Sequence, residues 1–528
     1  MKFNTISLCL IATLGLASCS DDGENGINGT NGTNGTSGTN GFNSLIQHQA
    51  LTLGDSDCFF GGLKIQSGLD TDNNNELAAA EITSTSLSCN VNPVSNNGSR
   101  LPYTVLRNDI DDGAMPGMKF EIRNGGFGSD MVAHPTDPSL FYAVTDRGPN
   151  ATFTGAQGKG KIFPTPDYTP RIGLFKLQPN GDIKKIKEIL FKRPDGTLIT
   201  GLPNDAAFGG TGETPYNIDG TLVTVDATQP YDATTNPIKL DNYGLDAEGI
   251  VALSDGTFWV SDEYGPHIVH FDADGKEIGR INAFSNDTRN THTLPAEFAN
   301  RRANRGMEGL AITPDESTLV GIMQSTLYNP SSAVKNLDIV RIVTVEIATG
   351  NVAQYLYKQE KNQNSQSGIV ALSNNTFLVI ERDGAFYNAT PTAMKHLYKI
   401  DLTNATNIEA MTASGDIEQD PALGLTIAGE TLEQVVLNSG WTTLENAGIN
   451  PVSKTMVSDL VAEVSYPHDK LEGIWLIDNT RVGVINDDDF ATWATGGVLE
   501  QKYLDAGKNT IDGNTLYIIE NLDLGMTP

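Results

Sequence analysis

Basic residues are scarce in this chain. Lysine and arginine together number 35 against 65 aspartates and glutamates, a formal net charge of -30 over 528 residues. A partner made of phosphates would be repelled unless the few cations were concentrated in one place, which argues against nucleic-acid binding. The acidity fits an extracytoplasmic protein that binds cations, and for most surface carboxylates solubility alone accounts for it. Long apolar runs are also missing. The run from Ile6 to Ala17, preceded by Lys2, is too short to span a bilayer as a stable helix and reads as a signal sequence. Three familiar catalytic phrases are absent: the Gly-x-Ser-x-Gly elbow, the His-Glu-x-x-His zinc helix and the Gly-x-x-x-x-Gly-Lys-Ser/Thr phosphate loop. A serine-nucleophile esterase is therefore disfavoured. From Gly23 to Gly41 every third residue is glycine, yet no proline lies between to preset an extended chain. A triple helix is not expected there, and the tract reads as a flexible tether.

A short phrase returns along the rest of the chain: an acidic residue, Gly-Ile or Gly-Leu, and an apolar run ending at a second polar cluster. It runs from Glu248-Gly249-Ile250 to Asp262-Glu263-Tyr264, from Glu308-Gly309-Leu310 to Gln324-Ser325, and from Glu472-Gly473-Ile474 to Asn486-Asp487-Asp488-Asp489. Looser copies start at Ser367-Gly368-Ile369 and Asp130-Met131-Val132 and end at Glu381-Arg382-Asp383 and Asp146-Arg147-Gly148. Each span holds two strands and a tight turn such as Ser254-Asp255-Gly256, and a second hairpin follows most copies. One such unit cannot bury its own apolar face and must stack on copies of itself. Two hairpins make a four-stranded blade, so the fold class is all-β and the natural closure is a β-propeller. Five repeats are explicit. Met118–Ile122 and Leu516–Ile519 are expected to share a further blade, giving six blades or seven. The stretches 203–241 and 430–465 read as insertions, the second with helical patterns near Leu432 and Leu460.

The phrase also places a site. Glu248, Glu308 and Glu472 each precede the first strand of a repeat, which brings them toward the axis from different blades. Converging carboxylates must be relieved by protonation, basic partners or a metal. A hard divalent cation is the economical answer, and calcium tolerates irregular oxygen cages best. The alternative is that these glutamates bond backbone amides of neighbouring blades and hold the ring together. Asp146, Glu381 and Asp487, from the second clusters, are further candidate ligands. Arg147 and Arg382 recur at one place in the repeat and suit an anion that a guanidinium grips through two oxygens, with Lys159, Lys161 and Arg171 as additions. Pairing of these arginines with carboxylates between blades is the competing reading. Asp262 or Glu263 is a candidate proton acceptor, and His267 is either a general acid or a structural imidazole.

Ahead of the repeats, Asp70, Asp72, Asn74, Glu76 and Glu81 stand at the first, third, fifth, seventh and twelfth positions of an EF-hand-type calcium loop, with Leu77 at the eighth. Asn75 occupies the position usual for glycine, and asparagine is the next-best residue for a left-handed backbone. An Asn/Asp-rich loop with helix capping at Glu81 is the alternative. At the N-terminus Leu16-Ala17-Ser18-Cys19 resembles the lipobox of bacterial lipoproteins. That resemblance implies cleavage before Cys19, lipid on Cys19 and, with Ser20, delivery to the outer membrane, facing the periplasm or the outside. Of the four cysteines, Cys9 would leave with the signal, and Cys58 with Cys89 would be joined in an oxidising compartment. The expected domains are a signal at 1–18, a lipidated linker at 19–45, a small module at 46–99 and the propeller at 100–528.

Eight stretches in order resemble the phytase-like family, described by its esterase-like activity of phytase. They are Gly128-Ser129-Asp130, Thr145 to Asn150, Phe163-Pro164 with Asp167 to Ile172, Asp246 to Ile250, Ser261 to Pro266, Asn304 to Leu310, Glu381-Arg382-Asp383 and Leu471 to Ile474. The resemblance implies a calcium-assisted hydrolase of phosphate or other esters. Its partner would be a small anionic ester, its only membrane contact the lipid anchor, and its state a monomer. A carboxylic ester or lactone hydrolase, and a non-catalytic ligand-binding propeller, are the other expectations.

Overall fold

The computed structural model describes residues 29–38 and 40–526; the signal segment 1–18 and Cys19 lie outside the described residues. Residues 29–38 and 40–42 are exposed and carry no regular secondary structure. The chain then forms two compact units. One holds the described residues up to Gln47 with Gln66–Thr85, and the other holds His48–Ile65 with Ser86 onward.

Within the larger unit, five sheets of the radial kind are present among the described residues. The first contains Asp130–Ala133, Leu140–Val144, Arg171–Leu177 and Ile183–Leu190. The second contains Ala247–Ala252, Phe258–Asp262, Ile268–Phe271 and Glu277–Asn282, with Asn290–Thr293 added in parallel at its edge. The third contains Met307–Ile312, Thr318–Met323, Ile339–Glu346 and Val352–Lys358. The fourth contains Ser365–Ala371, Thr376–Arg382, Lys395–Asp401 and Ser453–Asp459. The fifth contains Gly473–Asp478, Arg481–Ile485, Thr515–Ile519 and Ser99–Arg100. The innermost strands touch in cyclic order, first to second and onward until fifth meets first. This is a closed propeller.

The core lies between blades. Successive side chains of a strand point to opposite faces, and each face of a blade meets a neighbour, so both must be apolar. In the fourth blade Phe377 and Val379 belong to the cluster shared with the second and third blades, while Leu378 and Ile380 belong to the cluster shared with the fifth. Trp475 packs against Phe141 with ring centroids 5.0 Å apart, filling the seam between the fifth blade and the first.

The expected six or seven blades are corrected to five. Lys119–Arg123 pairs with Val105–Asp111 in a separate ribbon. Thr515 and Leu516 pair with Arg100 and Ser99 inside the fifth blade. The ring does close by joining early and late strands, but within an existing repeat. The segment 430–465 holds the helices Leu432–Ser439, Trp441–Asn446 and Leu460–Val464. It is more than an insertion, because Ser453–Asp459 inside it is the outer strand of the fourth blade. Thr431 caps the first of these helices, accepting the Gln434 amide at 3.3 Å while Gln434 reaches back to the Thr431 amide at 3.0 Å.

Asn43–Leu53, Phe60–Asp70 and Ile82–Cys89 form a three-stranded sheet in that order. Cys58 and Cys89 are joined by a disulfide, as the sequence suggests.

Candidate functional site

The glycine of the repeated phrase is required by close approach at the axis. A Cβ on Gly249 would lie 2.6 Å from the Leu310 nitrogen, one on Gly368 2.3 Å from the Glu472 carbonyl oxygen, and one on Gly473 2.8 Å from the Met131 nitrogen. Each inner strand thus leans its glycine on the next blade. In the first blade Asp130 takes the place of glycine. Its carboxylate accepts the amides of Ile250 at 3.0 Å, Met131 at 2.8 Å and Ile474 at 3.4 Å, tying three blades together. Burial holds its pKa well above the usual carboxylate range.

Strand pairing slips at this same point in the second, third and fourth blades. A bulge redirects the residue before the glycine. Those residues are Glu248, Glu308 and Ser367; Glu472 of the fifth blade and Ser129 of the first stand at the same place in the repeat, and all five are buried. Oxygens of Glu248, Glu308 and Glu472 come within 4.8 Å of one another, and so do oxygens of Asp246, Glu248 and Glu263. Glu248 belongs to both groups. Burial first, then the charges of Glu308, Glu263, Asp246 and Glu472, push its pKa well up. Burial and the neighbouring Glu263 and Glu472 do the same to Glu308. Burial raises Glu472 to about 7 against the opposing pull of Lys470 and Arg382.

Donors enter from the second clusters of the repeats. Arg382 bonds Glu472, lies 3.6 Å from Glu308 and donates through Nε to the Ser367 hydroxyl at 2.8 Å. The Gln324 amide donates to Glu263 at 2.9 Å and to Glu308 at 2.6 Å, and its own oxygen has no partner. On the other side Arg147 reaches Glu213 at 2.9 Å and Asp246 at 3.3 Å. Asp246 is raised to about 7 by burial, with Arg147 opposing. Asp146 is held well above the usual range by burial and by the charges of Asp487 and Asp246, and accepts the Gly148 amide at 2.8 Å. Asp487 bonds Lys470, which also holds Asp489 at 2.7 Å. Lys161 has its pKa lowered by burial and by Arg147.

Several expected site residues lie elsewhere. Both Asp262 oxygens accept backbone amides, of Asp246 and Gly265, each at 2.8 Å, so Asp262 fixes the turn that presents Glu263. Glu381 is consumed by Tyr357, Lys454, Asn364 and the Glu360 amide, because alternation along its strand turns it away from the face that carries Arg382. His267 is fully buried, with Nε2 3.1 Å from the Asn204 oxygen and no partner for Nδ1; burial holds its pKa well below 6.5. It is a core imidazole. Arg171 pairs with Glu188 at 3.0 Å rather than joining an anion patch. Asp246, Gln324, Glu213 and Lys470 were not singled out in the sequence. Gln324 nevertheless stands at the end of one copy of the repeated phrase, and Asp246 two residues ahead of another.

In the smaller unit, oxygens of Asp70, Asp72 and Glu81 lie within 4.8 Å of one another. Asp70 is fully buried and accepts the amides of Asn74 at 3.0 Å and Asn75 at 2.9 Å. Asn75 has a φ of 63°, the left-handed conformation its place in the loop demands. Glu81 bonds the Thr71 hydroxyl at 2.6 Å and the Thr71 and Ala78 amides at 2.7 and 3.0 Å. Asn74 bonds Asp72 at 3.0 Å, and Glu76 is exposed.

The family model described as Phytase-like, esterase-like activity of phytase, matches residues 122–490. The chain belongs to this family. A second model, a domain of unknown function, matches residues 43–89. An uncharacterized secreted protein of Arthroderma benhamiae is 32% identical over 334 residues, covering 53% of this chain and 62% of the relative. The phytase-like chain therefore spans less than two thirds of that relative. Among solved structures, a periplasmic gluconolactonase of Pseudomonas aeruginosa is 11% identical, covers 91% of this chain and 99% of its own, and has a TM-score of 0.26. A β-propeller domain of Myceliophteria thermophila Cps50 is 10% identical over 74% of this chain and 98% of its own, with a TM-score of 0.27. Likenesses at those scores bear on neither site nor chemistry.

For a hard cation, the phytase-like axis offers a fitting donor set. It is all oxygen, mostly anionic, drawn from separate blades and irregular, which suits calcium better than a metal demanding a fixed octahedron. The Gln324 oxygen is buried without a hydrogen-bond partner.

Proposed function

We propose that this protein is a calcium-dependent hydrolase of phosphate esters. The observation that carries the proposal is the meeting of Glu248, Glu308 and Glu472 from three blades beside Arg382. A divalent cation there would polarise an ester oxygen and lower the pKa of bound water. The chain's own groups do the rest. Arg382 and Arg147 are positioned to attract and orient an anion, and Lys161 adds charge beside Arg147. Glu263, held by Gln324, takes the proton of the attacking water. Asp146 and Asp487 border the same acids and add to the field that draws a cation in. The Asp70 loop takes a second, structural calcium. Lipid on Cys19 anchors the protein in the outer membrane, facing the periplasm or the outside.

One observation favours a second reading, hydrolysis of a carboxylic ester or lactone. Both arginines are already bonded to carboxylates, and such a substrate needs no guanidinium grip. Purified protein assayed on inositol phosphates, aryl phosphates, aryl acetates and lactones, with calcium or with chelator, separates the two. Phosphate release that requires calcium and falls in Glu248→Gln and Glu308→Gln supports the first reading. Acetate or lactone turnover that survives Arg147→Ala and Arg382→Ala supports the second. Calcium binding with no turnover on any of them makes the protein a ligand-binding propeller.

A further inference from the structure

Resting on the proposal that the axis holds calcium, we infer that it holds two cations, with Glu248 as the shared ligand. The first lies among Glu248, Glu308 and Glu472, and the second among Asp246, Glu248 and Glu263. In each group the oxygens lie within 4.8 Å of one another, and the two have Glu248 in common. Its neighbours are acids on both sides.

An unpartnered polar atom points to a ligand beyond the protein. Asp246 is 1% exposed, with Arg147 3.3 Å from its Oδ2. Gln324 is 8% exposed, its amide sits between Glu263 of one group and Glu308 of the other, and its oxygen is unpaired. Buried polar atoms without partners are rare because each costs about 1–3 kcal/mol.

Asp246, Glu248, Glu263, Glu308 and Glu472 outnumber Arg147 and Arg382, the cations within 4 Å of them, and Arg147 is shared with Glu213, so the acids carry an excess of negative charge that divalent cations would offset. A pair of ions about 3.5–4 Å apart is the spacing at which two metals clamp the oxygens of a displacement at phosphorus. Glu263 binds through one oxygen and keeps the other for the proton of water.

Equilibrium dialysis of the full chain with radioactive calcium counts the ions. Asp246→Asn should bind one fewer than the unaltered protein, Glu472→Gln one fewer, and Glu248→Gln two fewer. Terbium and europium loaded together into the unaltered chain should show short-range energy transfer that Glu248→Gln abolishes, a readout that does not depend on activity. Circular dichroism confirms that each variant is folded. If Asp246→Asn loses no ion and Glu248→Gln loses one, the axis holds a single cation and the inference falls while the proposed function stands. If Glu248→Gln, Glu308→Gln and Glu472→Gln all retain every ion, the calcium reading of the axis itself falls.

Discussion

Arg382 of the fourth blade is bonded to Glu472 of the fifth, across the seam at which their inner strands meet. Both side chains are buried, so the pair replaces two hydration shells with one contact, and removing either member strands the other. Arg382→Ala should therefore lose about 3–5 kcal/mol of stability in chelator. Arg382→Lys should lose less but still lower kcat/KM on phosphate esters, because an ammonium cannot bond Ser367, Glu472 and a phosphate in one plane. Denaturant titration and steady-state kinetics on both variants measure the two effects.

Stability of the cation-free protein should fall as pH rises. Glu472 is raised to about 7 from an ordinary 4.5, so between those values the folded state keeps a proton that the unfolded chain has released. Glu248 and Glu308 are raised in the same direction. Stability is then highest below the unfolded pKa and is lost as pH climbs through the folded one. Calcium replaces those protons, so its stabilising effect should be small near pH 5 and large near pH 8. At a hundredfold excess over Kd the gain from one site is about 2.7 kcal/mol. Thermal melts with calcium and with chelator across that range are the measurement.

Gly368→Ala should destabilise the protein and disturb the site together. The new methyl would lie 2.3 Å from the Glu472 carbonyl oxygen, which is backbone and must move. Overpacking of this kind costs about 1–3 kcal/mol. Weaker calcium binding alongside the loss is the expected signature, and a melt shift with unchanged calcium affinity would separate packing from the site.

His267→Gln should leave the pH dependence of turnover unaltered. The imidazole is fully buried and bonded to Asn204. Glu263→Gln is the contrasting variant and should lower kcat by roughly 10²–10⁴-fold with the fold intact. If the pH profile changes with His267 and not with Glu263, their roles are reversed.

Replacing Cys58 and Cys89 together by serine should cost about 2–4 kcal/mol in the small sheet, because the disulfide closes a loop with a sequence separation of 31. Proteolysis near that sheet should accelerate while calcium binding at the axis is preserved.

The repeated phrase by itself determined that the chain is built of stacked hairpins and that Glu248, Glu308 and Glu472 occupy equivalent places. Local pattern carries that information, since a strand's alternation and a turn's chemistry are written in neighbouring residues. The number of blades was decided only by pairing across the whole length, where Ser99–Arg100 joins Thr515–Ile519 and removes the need for a sixth. Roles at the second clusters were likewise a matter of tertiary structure. Glu381 and Arg382 are adjacent in sequence, yet one is spent on Tyr357 and Lys454 and the other on Glu472, because a strand turns consecutive side chains to opposite faces. Asp262 and Glu263 divide in the same way between backbone amides and the axis. Which carboxylate meets another carboxylate, and which meets a donor, depends on blades brought together from distant parts of the chain.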